Sequence, residues 1–134
     1  MCIRDSAGTI KNQIGAIGYL NYGYVNGDKF QQVALQNKAG NFVKANSETS
    51  AAGLAKIVLD DKLRGADPNP AGANAYPIVS LTWILAYPES KAGVKETLRY
   101  MLSEKAQSVS DSLGYVPLPE SLRQKSLAAV DSIK

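Results

Sequence analysis

The longest apolar run in the chain, from Tyr76 to Tyr87, is the feature that most constrains its fold. We call this run the apolar segment. It is rich in β-branched and aromatic residues, has no helical polar face, and is bracketed by Pro77 near its start and Pro88 just past its end. Such a run is typical of a strand that is buried on both faces, inside a parallel or mixed sheet covered by helices. It is too short to cross a bilayer as a helix.

Polar and aromatic side chains within the apolar segment each admit two interpretations. Ser80 and Thr82 lie on the same side of a strand and could face a ligand cleft, but packing with an internal hydrogen bond is the favoured interpretation. Trp83 and Tyr87 could stack on a ligand. The position of Trp83 at the centre of the run instead predicts a core residue.

The composition excludes several classes of function. With 45% hydrophobic and 20% charged residues, the 134-residue chain resembles a globular domain with its own core. The net charge of +3 is spread along the chain, without the concentrated basic stripe typical of nucleic-acid or membrane-surface binding. Histidine is absent, which removes the commonest general base, the commonest zinc ligand and every Ser-His or Cys-His pair. We therefore expect no enzymatic activity, no metal and no cofactor.

Residues 1–7 are expected to be a leader unrelated to the fold, either non-native or disordered. The stretch from Met1 to Ser6 lacks the charged and apolar regions of an export signal. In that case Cys2, the one cysteine, is not native, and cysteine usage leaves the redox compartment open. The chain from residue 8 onward is then expected to be the back part of a longer protein whose front is missing.

Local patterns predict several elements before the apolar segment. Residues 8–13 should end a helix that closes at Gly15, and residues 16–20 should form a strand. The stretch 22–26 fits either a hairpin, because Asn26-Gly27 is a strong hairpin dipeptide, or a single helical turn.

A hairpin, a helix and a loop are predicted between residue 30 and the apolar segment. Strands at 30–36 and 42–43 are expected to pair across a turn, and a helix capped by Asn46 or Ser47 should run to about Leu63. The stretch 65–74 contains two prolines and two glycines, which predicts a loop and a boundary between two packing units.

After the apolar segment the pattern is mainly helical. Ser90 can cap a helix that places Val94, Leu98, Met101 and Leu102 on one face, and residues 106–113 should continue or restart it up to Gly114. Residues 115–119 should be extended because each proline disfavours helix in the residue before it. Pro119 suits the first turn of a last helix with Leu122, Ala129, Val130 and Ile133 facing inward.

Four stretches occur in an order and spacing that resemble a known family. They are Gly15-Ala-Ile-Gly-Tyr19, Asn37-Lys-Ala-Gly-Asn-Phe-Val43, Ala75-Tyr-Pro-Ile-Val79 leading into Thr82-Trp-Ile-Leu85, and Leu113-Gly-Tyr-Val-Pro-Leu-Pro-Glu-Ser121. Together they resemble the C-terminal half of the PstS-type periplasmic phosphate-binding proteins of bacterial phosphate ABC transporters. The resemblance runs from about Gly8 to Lys134.

The resemblance implies an α/β fold, a partial periplasmic-binding-protein fold of type II, in which two lobes joined by crossing strands close on an anion. Residues 8–75 would be the end of lobe two, and residues 76–134 the returning strand and the C-terminal helices of lobe one. It also implies capture of inorganic phosphate for an ABC importer, with the transporter permease as a partner. The location would be periplasmic or tethered to the cell surface, with the export signal on the missing N-terminal part. Neither nucleic acid nor metal is expected to bind.

The family resemblance provides no phosphate ligand within this chain. In the family, hydroxyls, backbone amides at helix N-termini, an arginine and an aspartate hold the phosphate. These groups lie on segments that precede the Gly-Ala-Ile-Gly-Tyr stretch, and the Arg-x-x-Gly-Ser-Gly-Thr-like loop is absent from this sequence. Ser47, Thr49 and Ser50, at a predicted helix start, are weak candidates for anion binding, and simple capping is the favoured interpretation.

Other interpretations stay open. The fold could take another oxyanion such as molybdate, tungstate or sulfate, or could be a structural module without a ligand, whereas the lack of histidine disfavours a catalytic α/β domain. The carboxylates of Asp60, Asp61 and Asp67 could form a metal site, but a solvated helix end and loop is the better account. We expect the chain alone to be marginally stable or to self-associate, because the apolar segment and the tyrosines between residues 19 and 24 require partners.

Overall fold

A computed structural model describes residues 3–27 and 30–134. Within these ranges the chain forms a small mixed structure of short helices and one two-stranded sheet, compatible with part of an α/β protein. The division of the chain at residues 7 and 75, and the assignment of its parts to two lobes, remain predictions. In chain order the elements are α1 (Ile3–Asn12), α2 (Tyr22–Gly27), β1 (Leu35–Gln36), β2 (Phe42–Val43), α3 (Ser47–Leu54), α4 (Val94–Met101), α5 (Glu104–Gln107), a 3-10 helix (Asp111–Leu113) and α6 (Glu120–Asp131).

The N-terminal elements differ in part from the prediction. Helix α1 includes residues of the stretch expected to be a leader, and the chain turns at Gly15 with a φ of 83°, as the glycine predicts. The strand predicted at 16–20 is wrong, because these residues form no ladder and the side chains of Ile17 and Tyr19 are exposed. The ambiguous stretch 22–26 lies in helix α2, and the hairpin alternative is therefore wrong.

The predicted hairpin between residues 30 and 43 is confirmed, although its strands are shorter than expected. Strands β1 and β2 pair antiparallel, with Leu35 opposite Val43, and residues 30–34 form no regular structure. The turn between the strands is held by Asn37, whose backbone amide donates to the carbonyl of Asn41 at 2.9 Å. The turn residues expected from composition are therefore the ones that close it.

Helix α3 begins where predicted and ends earlier. Asn46 caps it, and the helix ends at Leu54 instead of near Leu63. After Leu54 the chain continues in tighter turns, in which the amides of Lys56 and Ile57 donate to the carbonyls of Gly53 and Leu54. Further on, the Asp60 carboxylate accepts hydrogen bonds at 2.8 Å from the backbone amides of Lys62 and Arg64, which hold residues 60–64 in a turn.

The buried side chains of Leu54, Ile57, Leu59 and Leu122 pack together and form the core, which we call the Leu54 cluster. It joins the end of α3 and the loop after it to the first turn of α6. Helix α6 begins at Glu120, directly after Pro119, and buries Leu122 and Val130, as its pattern predicts. The core is therefore built mainly from contacts between two helices and a loop.

The apolar segment is not the buried strand that its sequence predicts. Among the described residues the sheet consists of β1 and β2 alone, so nothing in them flanks the segment as a neighbouring strand. Most of its large side chains are exposed, and Leu85 is 97% exposed, whereas Val79 and Leu81 are partly buried against the Leu54 cluster. A strand is buried on both faces only when neighbouring strands as well as covering helices surround it, and the described part of this chain supplies no neighbouring strand. The exposed members are Ile78, Trp83, Ile84, Leu85 and Tyr87.

The interpretations given to individual residues of the apolar segment change accordingly. Trp83 is 47% exposed, and its Nε1 donates to the carbonyl of Leu63 at 2.7 Å, so the prediction of a core residue is wrong. Ser80 and Thr82 are exposed and not packed inside. At its start, however, the segment is docked on α3. Tyr76 donates from its amide to the Thr49 carbonyl at 3.0 Å, and a Cβ on Gly53 would lie 2.9 Å from the Tyr76 carbonyl oxygen.

The C-terminal region agrees with the prediction apart from one shifted boundary. Helix α4 begins at Val94 after Gly93, whose φ is 89°, and not after Ser90, whose hydroxyl instead donates to the Tyr87 carbonyl at 2.6 Å. Residues 104–113 restart as α5 and the 3-10 helix, which ends at Gly114 with a φ of 80°. A side-chain contact ties the two ends of this region together, since Lys95 Nζ donates to the Ile133 carbonyl at 2.6 Å.

Candidate functional site

The three candidate anion-binding residues lie at the start of α3, where one of them, Thr49, takes part in the helix cap. The backbone amide of Thr49 donates to Asn46 Oδ1 at 2.8 Å, and the amide of Asn46 donates to Thr49 Oγ1 at 3.1 Å. The Thr49 hydroxyl in turn donates to the Lys44 carbonyl at 2.8 Å. This reciprocal capping box confirms the capping interpretation for Asn46 and Thr49.

The rest of this helix start is poorly suited to an anion. The amide of Ser50 donates to the Asn46 carbonyl at 3.0 Å, and the side chain of Ser50 is buried. Glu48 lies in the first turn, where its carboxylate already provides the negative charge that a helix N-terminus favours. Anion binding by Ser47, Thr49 and Ser50 stays a prediction, and the contacts of Thr49 are those of a structural cap.

Each arginine whose side chain is described is paired with a carboxylate. Arg64 lies 2.8 Å from Asp60, Arg99 lies 2.6 Å from Asp131, and an Arg123 nitrogen lies 2.8 Å from Glu120. Guanidinium groups are the usual bidentate ligands of phosphate. Those described here are already paired with the chain's own carboxylates.

Two of these pairs shift the protonation equilibria of their carboxylates. Hydrogen bonds from the backbone amide and then the side chain of Arg64 lower the pKa of Asp60 below its usual value. Hydrogen bonds from Arg123 and then Gln124 lower the pKa of Glu120, and the same contact with Glu120 raises the pKa of Arg123. Both carboxylates are therefore held ionised as partners in surface ion pairs.

The aspartates near the loop act as local turn acceptors. Asp67 Oδ1 accepts from the Asn69 amide at 3.2 Å, and Asp60 accepts from the amide of Lys62. Among the residues the structure describes, no group of three potential metal ligands comes together. The solvated-loop interpretation of Asp60 and Asp67 therefore fits the contacts they make.

Asn37 is a structurally important residue that the sequence pattern assigned only to a turn. Its side chain is 4% exposed, and Nδ2 lies 3.1 Å from the Gly72 carbonyl oxygen, 2.9 Å from that of Ala73 and 3.2 Å from that of Ala75. Its Oδ1 accepts from the amides of Ala39 and Asn41. Asn37 thus ties the hairpin turn to the Pro/Gly loop more than thirty residues later. The only sequence signal for this role of Asn37 is its position at the start of the predicted turn.

A depression at the start of α4 offers no evident anion site. It is lined by uncharged residues, which give it no cation with which to hold an anion. The residues that line the depression are Ala92, Gly93, Val94, Thr97 and Leu98.

Two further observations concern other parts of the chain. Partial burial raises the pKa of the Tyr76 hydroxyl. None of the helices in the described ranges has the length and apolar character needed to cross a bilayer.

Comparison with known proteins gives a consistent result. The chain matches no protein-family model. It is 30% identical to the phosphate-binding protein PstS of Methanocaldococcus jannaschii, over 93% of this chain and 36% of that protein. It is 33% identical to PstS of Xylella fastidiosa, over 81% of this chain and 31% of that protein. The match with PstS of Pasteurella multocida is 28% identical and covers 82% of this chain and 34% of that protein.

The chain therefore spans about a third of the length of the curated relatives it matches. The matches extend across most of this chain, as the four recognised stretches do. The resemblance to the PstS-type phosphate-binding proteins is thus confirmed, for a stretch that makes up about a third of such a protein.

Proposed function

We propose that this chain is part of a solute-binding protein that captures inorganic phosphate for an ABC importer. The observation that carries the proposal is the match to the PstS protein of Methanocaldococcus jannaschii over 93% of this chain. Similar matches to other PstS proteins support it. The protein would release its anion to a membrane permease and would act in the periplasm or tethered at the cell surface.

The proposed architecture is a two-lobed receptor that closes on its ligand. Residues 8–75 would belong to one lobe, and residues 76–134 would cross back and cover the other. The loop 65–74 and the change from packed to exposed side chains after Tyr76 support a division near this point.

We place the phosphate ligands on segments other than this chain. The described arginines are paired with carboxylates, and Thr49 is engaged in a capping box. Binding phosphate at these positions would first require these contacts to break, which costs free energy that a preorganised site does not lose. The part of the receptor represented here would therefore supply scaffold and hinge.

A binding role also fits the chemistry that the sequence lacks. The chain has no histidine, so it offers no Ser-His or Cys-His nucleophile pair. The carboxylates with lowered pKa are ionised partners of arginines and lie on the surface, where they are poorly placed as general acids. We accordingly assign the chain no enzymatic reaction and no metal.

Calorimetric titration with phosphate tests the proposal on two proteins. One is this chain alone, and the other is a chimera in which the portion of the Methanocaldococcus jannaschii protein that precedes its match is joined to this chain. We expect tight, saturable binding by the chimera and none by the chain alone. Sulfate and molybdate serve as matched controls for selectivity.

The outcomes separate the alternatives. Binding by the chain alone would overturn the placement of the ligands and direct attention to Ser47, Thr49 and Ser50. If a folded chimera binds sulfate or molybdate in preference to phosphate, that anion and not phosphate is the ligand of the receptor. A folded chimera that binds none of the three anions would contradict the receptor assignment.

A further inference from the structure

Leu63 has a backbone conformation that residues other than glycine rarely adopt. Its φ is 58°, and among the described residues no other non-glycine residue has a positive φ. This left-handed conformation brings the Cβ atom close to the backbone, and for a bulky residue it persists only where surrounding contacts hold it. Glycine is the usual residue in this conformation, so contacts made by the leucine itself have to offset the strain.

Leu63 belongs to a tight turn formed by residues 60–64, which we call the Asp60 turn. The amide of Leu63 donates to the Asp60 carbonyl at 3.0 Å, and the amide of Asp60 donates to the Arg64 carbonyl at 2.9 Å. The Asp60 carboxylate accepts from the amides of Lys62 and Arg64, each at 2.8 Å. A three-residue connection closed in this way, with a left-handed residue in its last position, is a common hairpin geometry.

The side chain and the carbonyl of Leu63 both make contacts outside the Asp60 turn. The side chain packs against the Leu54 cluster. The carbonyl accepts a hydrogen bond at 2.7 Å from Nε1 of Trp83, which lies twenty residues later in the chain. Both contacts are made while Leu63 is in the left-handed conformation, and they are the contacts available to offset its strain.

Trp83 extends a row of side chains that docks the apolar segment. Val79 and Leu81 are partly buried against the Leu54 cluster, while the residue between them is exposed, as in an extended chain. Trp83 is the next alternate position, and Leu85, the one after it, is 97% exposed. The docked row therefore ends at the bond between Trp83 and Leu63.

We propose that Trp83 and the Asp60 turn form a releasable contact that determines whether the middle of the apolar segment is docked or free. When the contact is made, the indole group helps to hold Leu63 in its left-handed conformation. When the indole group leaves, Leu63 loses one of the contacts that offset its strain, and the turn relaxes. A change at either site therefore shifts the equilibrium at the other. This inference concerns contacts within the chain and does not depend on phosphate binding.

Fluorescence of the full chain reports on the contact directly, since Trp83 is the one tryptophan. Asp60→Ala removes the acceptor of two turn amides, and we expect the emission of Trp83 to shift to longer wavelength while the far-ultraviolet circular dichroism stays unchanged. Asp61→Ala is the matched control, since it removes a carboxylate from the next, exposed residue, and it should leave the emission unchanged. If Asp60→Ala loses the helical signal, Asp60→Asn, which keeps an acceptor oxygen, is measured instead.

A pair of substitutions at Leu63 tests the strain. Leu63→Gly and Leu63→Ala both remove the side chain, but only glycine adopts the left-handed conformation without strain. The unfolding equilibrium constant should therefore be at least about fivefold smaller for Leu63→Gly than for Leu63→Ala. At Lys62, where φ is not positive, the order of the same two substitutions should be reversed. A glycine variant at Leu63 no more stable than the alanine variant would overturn the proposal.

A substitution of Trp83 tests the coupling in the other direction. Trp83→Phe keeps an aromatic ring but removes the indole donor, so the amide hydrogens of Leu63 and Arg64 should exchange at least about fivefold faster. The amide of Thr49, in the cap of α3, is the internal control and should keep its rate. Unchanged exchange at Leu63 and Arg64 would overturn the proposal. Unchanged emission after substitution of Asp60, or an equal shift after Asp61→Ala, would overturn it as well.

Discussion

The Leu54 cluster and the apolar segment have similar residue types but opposite environments. Leu54 is 4% exposed in the cluster, whereas Leu85 is 97% exposed in the segment. The cluster is buried because α3, the loop after it and α6 lie within this chain and cover one another. The segment is exposed because a strand buried on both faces needs neighbouring strands, which are not present in the described residues. Apolar sequence therefore predicts a need for burial, and only the surrounding elements decide whether it is met.

The contrast between the Leu54 cluster and the apolar segment predicts its largest effect when one leucine in each region is truncated to alanine. Leu122→Ala should lower the free energy of unfolding by about 2–5 kcal/mol, because it removes buried methyl groups and leaves a cavity in the Leu54 cluster. Leu85→Ala should change it by less than about 0.5 kcal/mol. Urea denaturation of dilute protein, followed by circular dichroism, measures both. Equal effects of the two truncations would contradict the contrast between the regions.

A smaller effect is expected where the packed region is held by polar contacts. Asn37→Ala should lower the free energy of unfolding by about 1–3 kcal/mol, because the buried carbonyls of the Pro/Gly loop lose their donor. Asn74→Ala, at an exposed position of the same loop, is the matched control and should be nearly neutral. The urea midpoints of the two variants measure the difference in stability. If the two midpoints coincide, the Asn37 side chain does not join the hairpin to the loop.

The cap of α3 should contribute about 1 kcal/mol. Asn46→Ala removes the acceptor of the Thr49 amide and should destabilise the chain by that amount, whereas Asn46→Asp keeps an acceptor and should restore most of the stability. Urea denaturation again provides the measurement. A neutral Asn46→Ala substitution would show that the helix start is held by other contacts, and would reopen Thr49 and its neighbours as groups available to a ligand.

The sequence predicted the local features well because their causes are local. Asn46 and Thr49 lie three residues apart and cap each other directly, and the Pro/Gly composition of 65–74 is sufficient to exclude regular structure. The end of α3 was missed because apolar residues continue past Leu54, whereas the amides of Lys56 and Ile57 bond to carbonyls only three residues earlier and leave the helix.

The failures at longer range have a different cause. The burial of Trp83 depends on elements far away in the sequence, and so do the contacts of the Asn37 amide with a loop more than thirty residues later. No pattern within a short window contains that information. The candidate site shows the same limit, since helix-start hydroxyls are compatible with capping and with anion binding, and only the distances to Asn46 and Lys44 distinguish a cap.

The smallest effect should come from the surface carboxylates that flank the Leu54 cluster. The pKa of Asp60 and that of Glu120 are lowered in the folded chain, mainly by Arg64 and Arg123 respectively. A carboxyl group whose pKa is lowered by folding stabilises the fold at pH values above its ordinary pKa, which is 4.5 for Glu120. This stabilisation is lost as the pH falls below 4.5 and through the lowered pKa of the folded chain, so the free energy of unfolding should decline over that range. In Asp60→Asn this decline should be shallower than in Asp61→Asn, which removes the same charge from the next residue. Urea midpoints at neutral pH and near pH 3 measure the difference, and equal declines in the two variants would show that the Asp60 pair contributes nothing to it. Because both carboxylates are exposed to solvent, their effect should remain below that of any contact in the Leu54 cluster.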